Sequence, residues 1–73
     1  MNKAEAIAAM VCDNVKVRHK YFSSDEWMKN NNGKVEFENG KICDYSRFFH
    51  TRKEECWETG WSIYEDEREG LPL

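Results

Sequence analysis

The sequence has little of what usually cross-links a small domain or anchors it in a membrane. It contains one proline, four glycines and three cysteines in 73 residues. No stretch approaches the roughly 20 apolar residues that a membrane-spanning helix needs. The first residues also lack the unbroken apolar stretch of a secretory signal. We therefore expect a cytoplasmic protein with reduced thiols and no membrane contact.

The potential metal ligands are scattered along the chain. Zinc sites usually contain C-x-x-C or H-x-x-x-H pairs, because one loop or helical turn then supplies two ligands. No such pair occurs among Cys12, His19, Cys43, His50 and Cys56. Cys56 with His50 is a formal nucleophile and base, but no glycine-rich oxyanion loop or phosphate loop accompanies them. We predict no metal, no cofactor and no enzymatic activity.

Size and composition indicate one domain over residues 1–73, with a frayed end at 69–73. A chain this short buries only about 60% of its unfolded surface, so we expect its three Trp, three Tyr and four Phe to supply the core. A homodimer is a second possible source of stability. The net charge is −3, and nucleic-acid-binding domains are usually basic. Nucleic acid is therefore an unfavoured partner.

One helix is expected at the N-terminus. Asn2 is a suitable N-cap, and alanine, the best helix former, recurs through the segment that follows. Asp13 and Asn14 should end the helix after about Cys12, because Asn tolerates the left-handed backbone conformation. The spacing of the apolar positions predicts one buried face, which carries Ala4, Ile7, Ala8 and Val11.

The rest of the chain is typical of short strands joined by turns. Asn39-Gly40 is a strong hairpin signal, and Asn30–Gly33 and Thr59-Gly60 are further turns. One or two helical turns are expected through residues 47–50 after a cap at Asp44 or Ser46. The expected strands lie at 15–22, 27–28, 34–38, 41–43 and 61–64. The predicted fold is α+β, an N-terminal helix packed on a small antiparallel meander sheet of about four strands.

The strand at 15–22 combines basic and aromatic residues. Its alternation predicts an apolar face with Val15, Val17 and Tyr21 and an exposed face with Lys16, Arg18 and Lys20. Basic side chains bind phosphates and carboxylates, and aromatic rings stack on planar groups. The alternative is an ordinary solvated strand face.

Two tryptophans flank the turn at Thr59-Gly60. Either both close the core, or one of them anchors an interface, where Trp, Tyr and Arg are enriched. The candidate partner- or ligand-binding residues are Arg18, Lys20, Tyr21, Arg47, Arg52, Trp57 and Trp61.

Several segments together resemble small uncharacterised proteins encoded by tailed bacteriophages and prophages. These segments are Glu5-Ala6-Ile7, Val17-Arg18-His19-Lys20-Tyr21-Phe22, Asp25-Glu26-Trp27, Glu38-Asn39-Gly40 and Trp57-Glu58-Thr59-Gly60-Trp61. The order of helix, basic-aromatic strand and closing Gly-Trp strand is more distantly similar to the Thoeris anti-defence 2 family, phage sponges that sequester immune cyclic nucleotides. This second likeness is one of layout, and no ligand residues are carried over from it.

The resemblance implies a phage-type accessory protein that acts in the host cytoplasm by binding. The first hypothesis is that it binds and inhibits a host protein, a component of defence or gene expression. The alternative is a sponge that captures an anionic nucleotide or signalling molecule through Arg18, Lys20, Arg47 or Arg52. Arg18 is expected to be exposed under both hypotheses.

Overall fold

The computed structural model describes residues 1–65 and contains two helices and five antiparallel strands. This confirms the α+β prediction of an N-terminal helix on an antiparallel sheet, with five strands where about four were expected. The predicted frayed end at 69–73 lies outside the described residues. The elements in chain order are α1 (Lys3–Asp13), β1 (Val17–His19), β2 (Met28–Asn31), β3 (Lys34–Phe37), β4 (Ile42–Cys43), α2 (Tyr45–His50), a 3-10 turn (Glu55–Trp57) and β5 (Trp61–Ile63).

Both ends of α1 form as the sequence predicts. The side chain of Asn2 accepts a hydrogen bond from the backbone N–H of Glu5 at 2.7 Å, and the Glu5 carboxylate accepts from the N–H of Asn2 at 2.8 Å. This reciprocal capping satisfies two backbone donors at the start of the helix. Asn14 ends the helix in the left-handed conformation, with φ of 57°.

The buried face of α1 differs from the predicted one. Ala6, Ala9 and Met10 are buried, whereas Ala4 and Ala8 are exposed and Val11 is 52% exposed. Apolar residues surround most of this helix, so their spacing defines no single stripe. The face is instead set by packing on the sheet, which Ala6 and Ala9 allow the helix backbone to approach closely. Within residues 1–65, neither helix is long and apolar enough to cross a membrane.

The strands are ordered β4-β3-β2-β1-β5 across the sheet. The first four form the predicted meander, and β5 then pairs antiparallel with the other edge of β1 rather than extending beyond β4. Each residue of β1 faces a residue of β5: Val17 faces Ile63, Arg18 faces Ser62 and His19 faces Trp61. The segment after α2 therefore returns across the molecule to complete the sheet beside β1.

Both helices pack on the same face of the sheet. The core between them consists of Ala6, Ala9, Met10, Val17, Met28, Val35, Phe48 and Trp61. Tyr45 of α2 also reaches this face, where its hydroxyl donates to Oδ1 of Asn30 at 2.8 Å. Burial raises the pKa of the Tyr45 phenol above its usual value, because the phenolate would lose hydration. The opposite face of the sheet, the open face, carries no helix of the described residues.

The basic strand is shorter than predicted. It spans Val17–His19, and the chain turns immediately afterwards, with the N–H of Phe22 donating to the carbonyl of His19 at 2.8 Å. Tyr21 was predicted to share the apolar face with Val15 and Val17, but it is 60% exposed. His19 is fully buried and occupies the next inward position after Val17. The turn at residues 20–21 removes Tyr21 from the strand alternation.

Gly60 and Gly40 provide a matched test of the contact with His19. Both have a positive φ, of 90° and 87°, but a Cβ on Gly60 would lie 3.0 Å from Nε2 of His19, whereas one on Gly40 would meet open space. An L side chain in this backbone region costs roughly 1–2 kcal/mol. We expect Gly60→Ala to lower the free energy of unfolding by at least about 1 kcal/mol more than Gly40→Ala, because only the former displaces a packed ring. Urea unfolding of both variants measures the difference, and equal losses would contradict the tight contact.

Candidate functional site

The imidazole of His19 connects β1 to the chain segment that precedes β5. Its Nδ1 lies 3.1 Å from the backbone N of Tyr21, and its Nε2 lies 2.7 Å from the carbonyl oxygen of Thr59 and 3.0 Å from that of Cys56. A backbone N–H can only donate and a carbonyl can only accept. The ring is therefore neutral, with its proton on Nε2. Both ring nitrogens are occupied, so His19 is not placed to act as a general base.

Four aromatic rings surround this imidazole. The centroid of Trp57 lies 4.2 Å from that of His19, Trp61 lies at 4.8 Å, Tyr21 at 5.1 Å and Phe22 at 6.3 Å. The indole N–H of Trp61 donates to the carbonyl of Trp57 at 2.8 Å, which fixes the two tryptophans relative to each other. The imidazole of His19 and the indole N–H of Trp61 thus both have hydrogen-bond partners while their rings remain packed.

Four of the predicted site residues meet at the surface above this packing. Lys20, Tyr21, Arg52 and Trp57 form what we call the aromatic corner. The Trp57 ring packs edge-on to Tyr21 at 5.7 Å, the ammonium of Lys20 lies 5.5 Å from the Tyr21 ring, and the Arg52 guanidinium lies 5.3 Å from the Trp57 ring. The corner therefore combines an exposed ring, a half-buried ring and two cations.

Arg52 is held in place from beneath. Its guanidinium lies 4.1 Å from the centroid of Phe48, and its Nη1 donates to the carbonyl of Phe48 and to the hydroxyl of Thr51, at 3.3 and 3.2 Å. Stacking on buried aromatic rings limits the freedom of the side chain. Arg52 thus contributes a charge at a fixed position.

The other three predicted residues lie outside the aromatic corner. Trp61 is 2% exposed and belongs to the core beneath it, so it offers no surface for a partner. Arg47 is exposed at the far end of the sheet, where it lines a shallow groove of about 290 Å³ with Ile42 and Cys43. Lys34 and Asp44, which form an ion pair of 3.4 Å, complete the groove.

Arg18 is also not the exposed cation that the strand alternation suggested. Its Nη2 donates to the carbonyls of Phe22 and Ser23 at 2.9 and 3.2 Å, and the residue is half-buried. Arg18 therefore closes the turn after β1. Strand alternation predicts the face on which a side chain lies, but it does not show that the following turn places carbonyls within reach of the Arg18 guanidinium.

A second group of basic and aromatic side chains lies on the open face and was not among the predicted site residues. Lys16, Trp27, Lys29 and Tyr64 form what we call the open-face cluster. The ammonium groups of Lys16 and Lys29 lie 4.5 and 5.9 Å from the centroid of the Trp27 ring, and the Tyr64 ring lies 6.3 Å from it. Lys16 precedes the buried Val17 and Trp27 precedes the buried Met28, so alternation alone indicates that Lys16 and Trp27 lie on the opposite face. That the two side chains lie close together follows only from the pairing of β1 with β2.

Two surfaces of the described residues combine basic and aromatic side chains. Among residues 1–65, no group of three or more His, Cys, Asp or Glu side chains is arranged to hold a metal ion. Cys12 and Cys56 are exposed, and Cys43 is half-buried. Comparison with known proteins found no matching family model, no similar curated protein and no similar solved structure.

The contrast between Arg18 and Lys20 is testable. Arg18→Gln removes a charge together with two hydrogen bonds to carbonyls, each worth about 1 kcal/mol, so we expect a loss of about 1–3 kcal/mol in the free energy of unfolding. Lys20→Gln removes the same charge from an exposed side chain and should change stability by less than about 0.5 kcal/mol. Chemical denaturation of the two variants gives both values. Equal stability of Arg18→Gln and the parent protein would show that Arg18 has no structural role.

Proposed function

We propose that this chain is a small phage-type accessory protein that binds a protein of the host cytoplasm, a component of defence or gene expression, and inhibits it without catalysis. The contact surface would be the aromatic corner. The observation that carries the proposal is the exposure of Tyr21, which is 60% exposed although its ring packs against Trp57 and His19.

An exposed aromatic side chain that is already ordered is suited to protein recognition. The ring of Tyr21 packs against His19 and Trp57 and its backbone N–H donates to His19, so less conformational entropy would be lost when a partner covers the ring. Tyr, Trp and Arg are the residue types most enriched at binding hot spots. Lys20 and Arg52 flank the rings, which favours a partner surface with carboxylates around an apolar depression.

The shape of the corner favours a protein over a small nucleotide. Sites for small molecules are concave and enclose most of the ligand. Tyr21 is instead 60% exposed, and its ring packs edge-on against Trp57, which Arg52 also contacts. An exposed ring of this kind fits into a depression on a partner. A nucleotide sponge remains the alternative outcome of the test below.

The test compares Tyr21→Ala with Arg47→Ala. A tagged form of the protein is used to capture a partner from host cells, and the affinity of the purified pair is then measured by calorimetry. Truncation of a central hot-spot residue typically costs at least about 2 kcal/mol, so we expect Tyr21→Ala to weaken binding about 30-fold. Arg47→Ala removes an exposed cation at the far end of the sheet and should leave the affinity unchanged.

Thermal melts of both variants check that the fold is retained. Loss of affinity in Arg47→Ala but not in Tyr21→Ala would move the contact to the groove beside β4 and refute the corner as the binding surface. Mass spectrometry of the protein purified from infected cells covers the alternative. A stoichiometric nucleotide without a protein partner would replace the proposal with the sponge.

A further inference from the structure

The open-face cluster is built on three paired strands and is independent of the aromatic corner. Lys16 directly precedes β1, Trp27 directly precedes β2, Lys29 lies within β2, and Tyr64 directly follows β5. The N–H of Tyr64 donates to the carbonyl of Lys16 at 2.9 Å, so backbone hydrogen bonding continues to the end of both strands. Lys16, Trp27, Lys29 and Tyr64 are all half-buried, which limits their motion while leaving one side of each accessible.

The open face is locally basic although the chain is acidic. The net charge of the sequence is −3, but the strand register and the alternation of β1 place four cations on this face, Lys16, Arg18, Lys29 and Lys34, with one carboxylate, Glu36. Glu36 faces Lys29 across the β2–β3 pair, and its carboxylate also accepts a hydrogen bond from the side chain of Asn31 at 3.0 Å. On the paired strands of this face the cations thus outnumber the carboxylate, while Glu26 and Glu65 adjoin the cluster in sequence, next to Trp27 and Tyr64.

We propose that the open-face cluster binds single-stranded nucleic acid, with a base stacked on Trp27 and phosphates held by Lys16 and Lys29. An indole ring provides a stacking surface that accepts any base. The ammonium groups of Lys16 and Lys29 lie 4.5 and 5.9 Å from the ring centroid, close enough to reach the phosphates next to a stacked base. When a base stacks on Trp27, the lysine ammonium groups leave the π-face of the indole and bind phosphate oxygens.

Charge and shape together select this ligand class. A single strand presents both negative charges and unpaired planar bases, which suit the lysines and Trp27 together. The carboxylates of an acidic peptide would bind the lysines but would leave Trp27 without a stacking partner. No helix of residues 1–65 covers the sheet face that carries the cluster, and an open face accommodates an extended chain more readily than it encloses a mononucleotide. The overall charge of −3 disfavoured nucleic acid at the level of composition, but the cluster is a local exception to that balance.

The test is a titration of a fluorescein-labelled oligothymidylate with the full-length chain, followed by anisotropy at several salt concentrations. Two lysines that each neutralise one phosphate predict a slope of about −1.4 in log K against log salt. The double variant Lys16→Ala/Lys29→Ala should abolish most of this slope. Lys41→Ala/Lys53→Ala removes the same charge from exposed lysines outside the cluster, so it should keep the slope of the parent protein.

The role of the ring is tested with Trp27→Leu and Trp27→Phe. We expect Trp27→Leu to weaken binding at least about fivefold, and Trp27→Phe to retain most of the affinity because it retains a stacking surface. Circular dichroism melts check the fold of each variant. In the parent protein, the indole N–H resonance of Trp27 should shift on titration while those of Trp57 and Trp61 stay unchanged, a readout that needs no substitution.

Absence of saturable binding at about 20 mM salt, where electrostatic binding to phosphates is strong, would overturn the proposal. So would binding that survives both the lysine and the Trp27→Leu substitutions. A third contrary result is competition by polyglutamate that is as strong as competition by unlabelled oligothymidylate. The last would assign the face to an acidic protein. None of these results bears on the Tyr21 experiment, since Tyr21 lies outside the cluster.

Discussion

The hydrogen bonds of one buried imidazole hold together the parts of the chain that are distant in sequence. His19 ends β1, and its Nε2–H reaches the carbonyls of Cys56 and Thr59, nearly 40 residues later. Without this donor the two carbonyls would lose a partner in a ring-lined site, at a cost of about 1–3 kcal/mol each where they are fully desolvated. The same ring fills the space among Trp57, Trp61 and Tyr21. His19 therefore reinforces the backbone pairing that places β5 beside β1 and closes the sheet.

This arrangement explains why the molecule has two different surfaces. Because His19 occupies the inward position at the end of β1, the chain turns and places Tyr21 outside, where it forms the aromatic corner with Lys20, Trp57 and Arg52. Because β5 pairs with β1, Tyr64 is brought beside Lys16 and Trp27 on the open face. The first surface has an exposed tyrosine ring packed on a tryptophan, and the second has a tryptophan ring with two lysine ammonium groups near it. One structural constraint thus creates both candidate binding sites.

Local signals in the sequence predicted most of the elements. The Asn2 cap, the Asn14 end and the hairpin turn at Asn39-Gly40 each follow from backbone chemistry within a few residues, and all are present. The predictions that were wrong rested on the periodicity of apolar residues alone. The strand at 15–22 was assigned one alternation throughout, but it ends after three residues at a turn closed by hydrogen bonds to His19, so Tyr21 is exposed rather than buried. The buried face of α1 and the carbonyl partners of Arg18 depend on tertiary contacts in the same way. All four residues of the aromatic corner, Lys20, Tyr21, Arg52 and Trp57, were among the predicted site residues. The open-face cluster was not predicted, because its residues come together only when the strands pair.

The most direct test of this account is the protonation state of His19, measured by long-range ¹H–¹⁵N correlation NMR of the imidazole rings at neutral pH. The account predicts a neutral ring with its proton on Nε2, slow exchange of that proton with water, and a nuclear Overhauser contact from it to the Gly60 α-protons, since Nε2 lies 3.0 Å from the position of a Cβ on Gly60. A proton on Nδ1, or a ring that averages rapidly between its forms as an exposed histidine does, would contradict it, because His19 would then not connect β1 to the segment before β5.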